Sequence, residues 1–393
     1  MQTEYSVYFK PLVAAGVWLD EWVNVSEFIQ EKDLGSLVVD LEGGDFATGL
    51  FKFKNFKIKL SNRKNEYDWG IGDVFPTGRA DRCKVRIDYT ADNQTITVFV
   101  GYIEDDSLDS YEANDHIKYL VLGNESALNF QSVPVGYLGG QTCEQAIKKL
   151  LSSPALVNYF NYNAANVTLG YNPYIDNGAA FDNVSFTVAM RELLLVSNSV
   201  FSVDNDNNVL VTTREPQGDT KAFYANTPVN DNVLQIKAIA RGLKRTFNQI
   251  AIKHGDNQEM FINDANSITS YGIKQLDIEI KSITDTAVLE AVAQNLLANF
   301  AQPKHEVDLV LDTSKLIPRL TELQECTLEL RTAKTHKQGK TRWIVGDGKT
   351  IGNICLPTSV NGVFTSDAST LYKVIRIQEQ CKSGTTIIRL RAA

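Results

Sequence analysis

Residues 204–215, DNDNNVLVTTRE, place Asp204, Asp206 and Asn208 at alternate positions and Glu215 at the twelfth. This is the oxygen-ligand spacing of a calcium loop between two helices. Such a loop needs glycine at its sixth position for the sharp turn, and Val209 stands there. The following VLVTT is β-branched and reads as a strand. Phe201 and Val203 alternate before the acidic residues, and Val209 and Val211 alternate after them. Asp and Asn tolerate left-handed backbone, so the stretch reads as a hairpin turn.

Other chemistry-bearing patterns fail on spacing in the same way. Gly-Lys-Thr occurs at 339–341 and 348–350, but a phosphate loop needs another glycine five residues earlier, where Lys334 and Trp343 stand. His116, His254, His305 and His336 are far apart, without a metal-ligand partner at workable spacing. No G-x-S-x-G elbow is present. Glu104, Asp105, Asp106, Asp109, Glu112 and Asp115 crowd a short connector; paired acid–base carboxylates need contrasting environments, so this run reads as a solvated boundary. The Asn/Tyr-rich stretch 158–178 offers Tyr162, Tyr171 and Tyr174 for stacking on sugar rings, with a structured loop as the plainer reading. The basic loop 333–342 reads as solvated. No catalytic residue, metal or cofactor is expected, and the chain is expected not to be an enzyme.

The elements around these residues are mostly strands. In 49–62, GLFKFKNFKIKLSN, Phe51 and Phe53 oppose Lys52 and Lys54; the phase then slips at Asn55 and Ile58 and Leu60 oppose Lys57 and Lys59. A one-residue slip predicts a β-bulge, and the four lysines predict a solvated or subunit-facing surface. Residues 83–104 predict a hairpin turning at 91–94. Thr142 with Gln145 predicts a capping box for a short helix ended by Pro154, and Ser185 caps a second helix that includes Val188 on its apolar side. Strand 278–283 leads to Thr284 as helix cap; Leu289, Val292, Ala293, Leu296 and Phe300 then form one apolar face, Pro303 stops the helix, and Val307, Leu309 and Leu311 alternate as the next strand.

The 393 residues predict two or three domains. We expect an N-terminal β-barrel at 1–115, an α+β middle domain at 116–240, and a second barrel at 241–393 holding the strand–helix–strand unit and a loop insertion. The fold class is mainly β: two tube-like barrels and a small α/β domain. Cys83, Cys143, Cys326, Cys355 and Cys381 are scattered and odd in number, which predicts reduced thiols in a cytosolically made protein. LVAAGVWL at 12–19 lacks the basic flank of a signal peptide, and no run is long enough to cross a bilayer as a helix. A net charge of −8 makes the chain a poor phosphate binder, compatible with DNA passing without sticking.

Three stretches carry a family resemblance. Residues 33–62 with FVGYIED (99–105), the helix-then-hairpin SFTVAMRELLLVSNSVFSVDNDNNVLV, and SITSYGIKQLDIEIKSITDTAVLEAVAQNLLANFAQPKHEVDLVL resemble phage tail baseplate hub proteins. The last of these is similar to a Ser/Tyr-Gly strand, an Ala-rich helix, then Pro and a strand. One departure is Gln324-Glu325, where the family often has Gly-Asp. The resemblance implies a homotrimer whose barrels form a pseudo-sixfold ring through which DNA passes. It also implies partners: the tail tube or distal tail protein on one side, a spike, fibre or tape-measure protein on the other. The location implied is the virion tail, assembled in the host cytoplasm, serving host entry and genome ejection. Any cell-wall hydrolase is expected on another polypeptide. The other reading is a carbohydrate-binding host-recognition protein using the Asn/Tyr stretch.

Overall fold

A computed structural model describes residues 4–14, 17–29, 36–40, 48–49, 54–61, 82–91, 93–104, 111–112, 116–204, 206–215, 217–225, 233–240, 245–255, 258–304, 306–315, 324–330 and 371–392. Strands β1 (Glu4–Lys10), β2 (Leu12–Ala14), β3 (Val17–Trp18) and β4 (Val23–Asn24) open the chain. They are followed by β5 (Ser36–Asp40), β6 (Asn55–Ser61), β7 (Lys84–Ala91), β8 (Gln94–Ile103), β9 (Tyr111–Glu112) and β10 (His116–Gly123). All but β2, β3 and β5 build a seven-stranded sheet in the order β4-β1-β7-β8-β10-β6, with β9 on β10. Alternation puts Val7, Phe9, Val85, Ile87, Tyr89, Ile58 and Leu60 on its buried face. The β7–β8 turn uses Asn93 at φ 64°, left-handed backbone that Asn tolerates.

The middle unit contains β11 (Gln141–Thr142), α1 (Cys143–Leu151), β12 (Tyr174–Ile175), α2 (Phe186–Val196), β13 (Ser199–Val203) and β14 (Val209–Thr213). Thr142 and Gln145 form the capping box of α1: Thr142 Oγ1 accepts from the Gln145 amide at 3.4 Å, and Gln145 Oε1 accepts from the Thr142 amide at 3.0 Å. Ser185 caps α2, whose Met190, Leu193 and Leu194 are wholly buried. Strands β13 and β14 pair as a hairpin.

The chain then enters the second sheet with β15 (Gln217–Ala225) and β16 (Val233–Ala240) and returns to the middle with β17 (Gln249–His254), β18 (Gln258–Asn263), α3 (Ala265–Tyr271), β19 (Gln275–Ile280) and α4 (Thr286–Phe300). It ends in the second sheet with β20 (Glu306–Asp312), β21 (Gln324–Leu330), β22 (Tyr372–Gln380) and β23 (Thr385–Ala392). That sheet is also seven-stranded, ordered β15-β21-β22-β23-β20-β16, with β5 added to β22. Its end strands β15 and β16 touch, so the sheet curls toward a tube. The architecture is mainly β.

Several expectations need correction. The cap of α4 is Asp285, whose carboxylate accepts from the Ala287 amide at 2.9 Å; Thr284 lies one residue outside the helix. The Ser270-Tyr271-Gly272 segment, which the resemblance implies as a strand, instead closes a helix: α3 ends at Gly272 with φ 71°. Helical i→i+4 bonds from Ser270 and Thr269 hydroxyls to backbone carbonyls hold that turn. Val188 is 48% exposed because it lies in the first turn of α2, outside the packed face. Strand β6 pairs with β10 without a break from Asn55 to Ser61; residues 51–53, which the slip would involve, lie outside the described set.

Strand pairing and core packing group the elements as follows. Strand β10 completes the first sheet, β15 and β16 belong to the second, and β17, β19 and α4 share one core with α1 and α2. The strand–helix–strand unit therefore bridges two sheets, since β19 pairs with β17 and β20 with β23 and β16. Periodicity reports which face of an element is apolar, but not which sheet receives it.

Candidate functional site

The chain passes from the middle unit into the second sheet at two places: Arg214–Glu215 after β14, and Ala301–Lys304 after α4. Both crossings land on the same patch of that sheet. Strand alternation sends Tyr372, Val374, Leu390 and Ala392 into the second core, so Lys373 and Arg391, register partners on β22 and β23, face the other way. That outer face is covered by the middle unit. Lys373 is 8% exposed, Arg391 3% and Arg214 4%.

The geometry is cationic. The Lys373 ammonium donates to the Arg214 carbonyl. The Arg214 and Arg391 guanidinium carbons each lie 5.6 Å from the Phe300 ring centroid, and Phe300 meets Phe247 edge-on at 6.4 Å. One strand over, Arg391 is opposite Glu306, which accepts from Arg245 Nη1 at 2.6 Å. Burial is the main force on Lys373; Lys304, Arg391 and Arg214 add repulsion against the opposing attraction of Glu215, and together they bring its ammonium down to about 7. Burial and Arg391 also lower Lys304, with Glu215 opposing. Backbone from the N-terminal region closes the patch. A Cβ on Gly49 would sit 2.1 Å from the Ser199 carbonyl and 3.1 Å from Arg214 Nη2, and φ is +74° there, so glycine is required. This site positions units; among the described residues no cluster of three His, Cys, Asp or Glu could hold a metal.

The residues singled out by sequence are dispersed. Lys52 lies outside the described residues. Lys54 is tied within the chain: its amide donates to Glu125 Oε1 at 2.6 Å and its ammonium to the Val203 carbonyl at 3.0 Å. Lys57 is exposed and Lys59 half-buried. Tyr162 and Tyr171 pack against the middle core, whereas Tyr174 is 55% exposed. Leu289, Val292, Ala293, Leu296 and Phe300 are all buried in that core. The Asp204 carboxylate is used by its own turn, accepting from the Asp206 amide at 2.9 Å and the Asn208 amide at 2.8 Å, with Asn207 at φ 66°. The basic loop, both Gly-Lys-Thr sites and most of the acidic connector lie outside the described residues.

Sequence reasoning missed the junction. Lys373 and Arg391 occupy the polar phase of alternating strands, which ordinarily means water; only the docking of α4 buries them. It also missed two carboxylates that sew the middle unit together. Asp176 accepts from the Thr284 amide at 2.9 Å, its hydroxyl at 2.9 Å and the Asp285 amide at 3.1 Å, and Glu192 accepts from the Lys281 and Ser282 amides at 2.9 and 2.7 Å. No local sequence signal marks contacts across roughly a hundred residues.

With two seven-stranded sheets and one α/β core, the backbone can be set beside known folds. It matches the tail protein from Neisseria meningitidis MC58 at a TM-score of 0.56 and 11% identity, over 100% of this chain and 96% of that one. It matches the 43 kDa tail protein of prophage MuSo2 from Shewanella oneidensis at 0.53 and 11%, over 99% and 98%. This is a tail-protein fold. The match takes in both sheets and the middle unit together, so the tail-protein fold is the whole arrangement. No family model and no curated protein matches the sequence. Identities this low are expected where a fold is specified by patterns of apolar residues and not by invariant side chains. Among the described residues, no helix of this tail-protein fold is long and apolar enough to cross a membrane.

Proposed function

We propose that the chain is a non-enzymatic baseplate hub of a phage tail. In this reading three copies form a pseudo-sixfold ring joining the tail tube to the tail tip or spike, within the virion. The observation that carries it is the presence of two seven-stranded sheets in one chain, in a fold shared end to end with two tail proteins. Three copies would supply six similar sheets, as a ring matched to a sixfold tube requires. The tube partner, the spike partner, DNA passage and assembly in the host cytoplasm all follow from that placement.

The test is the mass of the purified chain by light scattering, with imaging of the particles. Rings of three times 43.7 kDa are expected; a stable monomer at high concentration overturns the proposal. The carbohydrate reading is not advanced, since Tyr162 and Tyr171 are half-buried against the core and only Tyr174 among those three is exposed.

A further inference from the structure

The junction holds a lysine where a permanent cation would be expensive. We infer that the contact between the middle unit and the second sheet is a pH-dependent latch: it is closed by the neutral amine of Lys373 and loosened when that amine takes a proton. The argument starts from what surrounds it. From the middle unit come Arg214 and Glu215 on one crossing and Lys304 on the other; from β23 comes Arg391, the direct register partner. On β21 the register partner is Glu325. Glu306 lies beyond Arg391 and is engaged by Arg245. Lys373 makes a hydrogen bond to the Arg214 carbonyl, an acceptor that a neutral amine N–H can also satisfy, though more weakly than an ammonium. Three cations against one carboxylate act on Lys373 itself, in a place closed to water, so a proton added there gains little and meets repulsion.

The position makes this a latch and not only a strained core. The two crossings that run from the middle unit into the second sheet meet at the Lys373–Arg391 pair, with Phe300 at the end of α4 beneath the two guanidiniums; the return crossing runs from β16 to β17. Loosening that pair weakens the contact of the second sheet with the middle unit at this junction, and Lys373 itself belongs to neither hydrophobic core. The direction follows from linkage. Lysine ordinarily holds its proton up to 10.5, and here the folded chain gives it up near 7. Stability from this group therefore rises with pH between about 7 and 10.5 and is at its floor below about 7. Over the step from about pH 8 to about pH 6 the opening constant should rise about tenfold from this one residue.

Thermal unfolding of the full chain between about pH 6 and about pH 9, at fixed ionic strength, tests it with two variants. Lys373→Met keeps the length without the charge and should lose the pH response, which in the parent is about tenfold between about pH 8 and about pH 6. Lys373→Arg, charged throughout, should sit at the destabilised level at every pH. Parallel pH profiles in all three proteins overturn the inference. If either variant fails to fold, hydrogen exchange on the unmodified chain decides. Peptides at 209–215 and 300–304, corrected for intrinsic exchange, should lose protection on acidification while 84–103 in the first sheet does not. Equal loss in both regions, or none, overturns it.

Discussion

Replacing Phe300 is the most direct test of how α4 holds the junction. Its ring is 3% exposed, packed in the middle core, edge-on to Phe247 at 81°, and in contact with two guanidiniums. Truncating a buried Phe to Ala costs about 3–5 kcal/mol, and the well-filled surroundings place Phe300→Ala at about 4–5. Phe300→Leu separates volume from ring chemistry. An edge-to-face pair contributes about 0.5–1.5 kcal/mol and each cation–ring contact about 0.5–1, so Leu, which fills most of the space, should cost about 1.5–3.5. Phe130, 54% exposed, provides the reference: Phe130→Ala should fall within about 0.5 kcal/mol of the parent. Urea unfolding followed by circular dichroism reads all three from the midpoint, with the slope unchanged. A Leu variant indistinguishable from the parent would mean the guanidiniums gain nothing from the ring. An Ala variant costing under about 1 kcal/mol would refute the burial of α4 against this core.

Three further outcomes follow from single contacts. A Cβ at Gly178 would lie 2.2 Å from the Gly139 Cα, whereas one at Gly139 would meet Gly178 at 4.0 Å; Gly178→Ala should therefore cost at least about 3 kcal/mol and Gly139→Ala under about 1, read by melting temperature. Asp176→Ala removes the acceptor at the start of α4 and should cost about 1–2 kcal/mol in urea unfolding, with Asp176→Asn recovering part of it. Tyr5 donates to Glu379 Oε1 at 2.7 Å, joining the two sheets; Tyr5→Phe should cost about 1.5–3 kcal/mol in the same assay, and an unchanged midpoint would show that this bridge contributes nothing.

What was legible in the sequence was local. Thr142 with Gln145, Ser185 before an apolar run, and the spacing from Leu289 to Phe300 specify helices through contacts within four residues, and the structure contains those helices. The Asp204 turn was readable for the same reason, since its bonds span two to four positions. The Ser/Tyr-Gly segment, implied as a strand, belongs to the end of the short helix α3; the Ser and Thr hydroxyls of that helix suit a turn, a strand or a helix about equally, and Asp264 capping the Ser267 amide at 2.9 Å decides it. Sheet membership was not readable at all. Nothing near Ser36–Asp40 announces that these residues pair with Arg376–Gln380 and not with their neighbours in the first sheet. The junction was hidden by the same limit, because burial of Lys373 depends on a helix seventy residues away in sequence.

The route of the chain explains why the sheets act together. It starts in the first sheet, lends β5 to the second, returns to the first, and then alternates between the middle unit and the second sheet. Cys381, from the turn after β22, packs in the first core, and Tyr5 reaches Glu379. Neither sheet is complete until the other is placed, which fixes their spacing without a large loop-closure cost, since that cost grows only slowly with loop length. The middle unit then clamps the outer face of each. On the first sheet the clamp is Tyr102, which shares a hydrogen bond with Ser126 at 2.7 Å and lies 5.3 Å from Tyr159; burial raises its hydroxyl above the ordinary range, so it stays neutral at any working pH. On the second sheet the clamp is Lys373 among cations. One clamp is indifferent to protons and the other answers to them, so acidification acts on the contact between the second sheet and the middle unit, while β5, Tyr5 and Cys381 keep the two sheets joined.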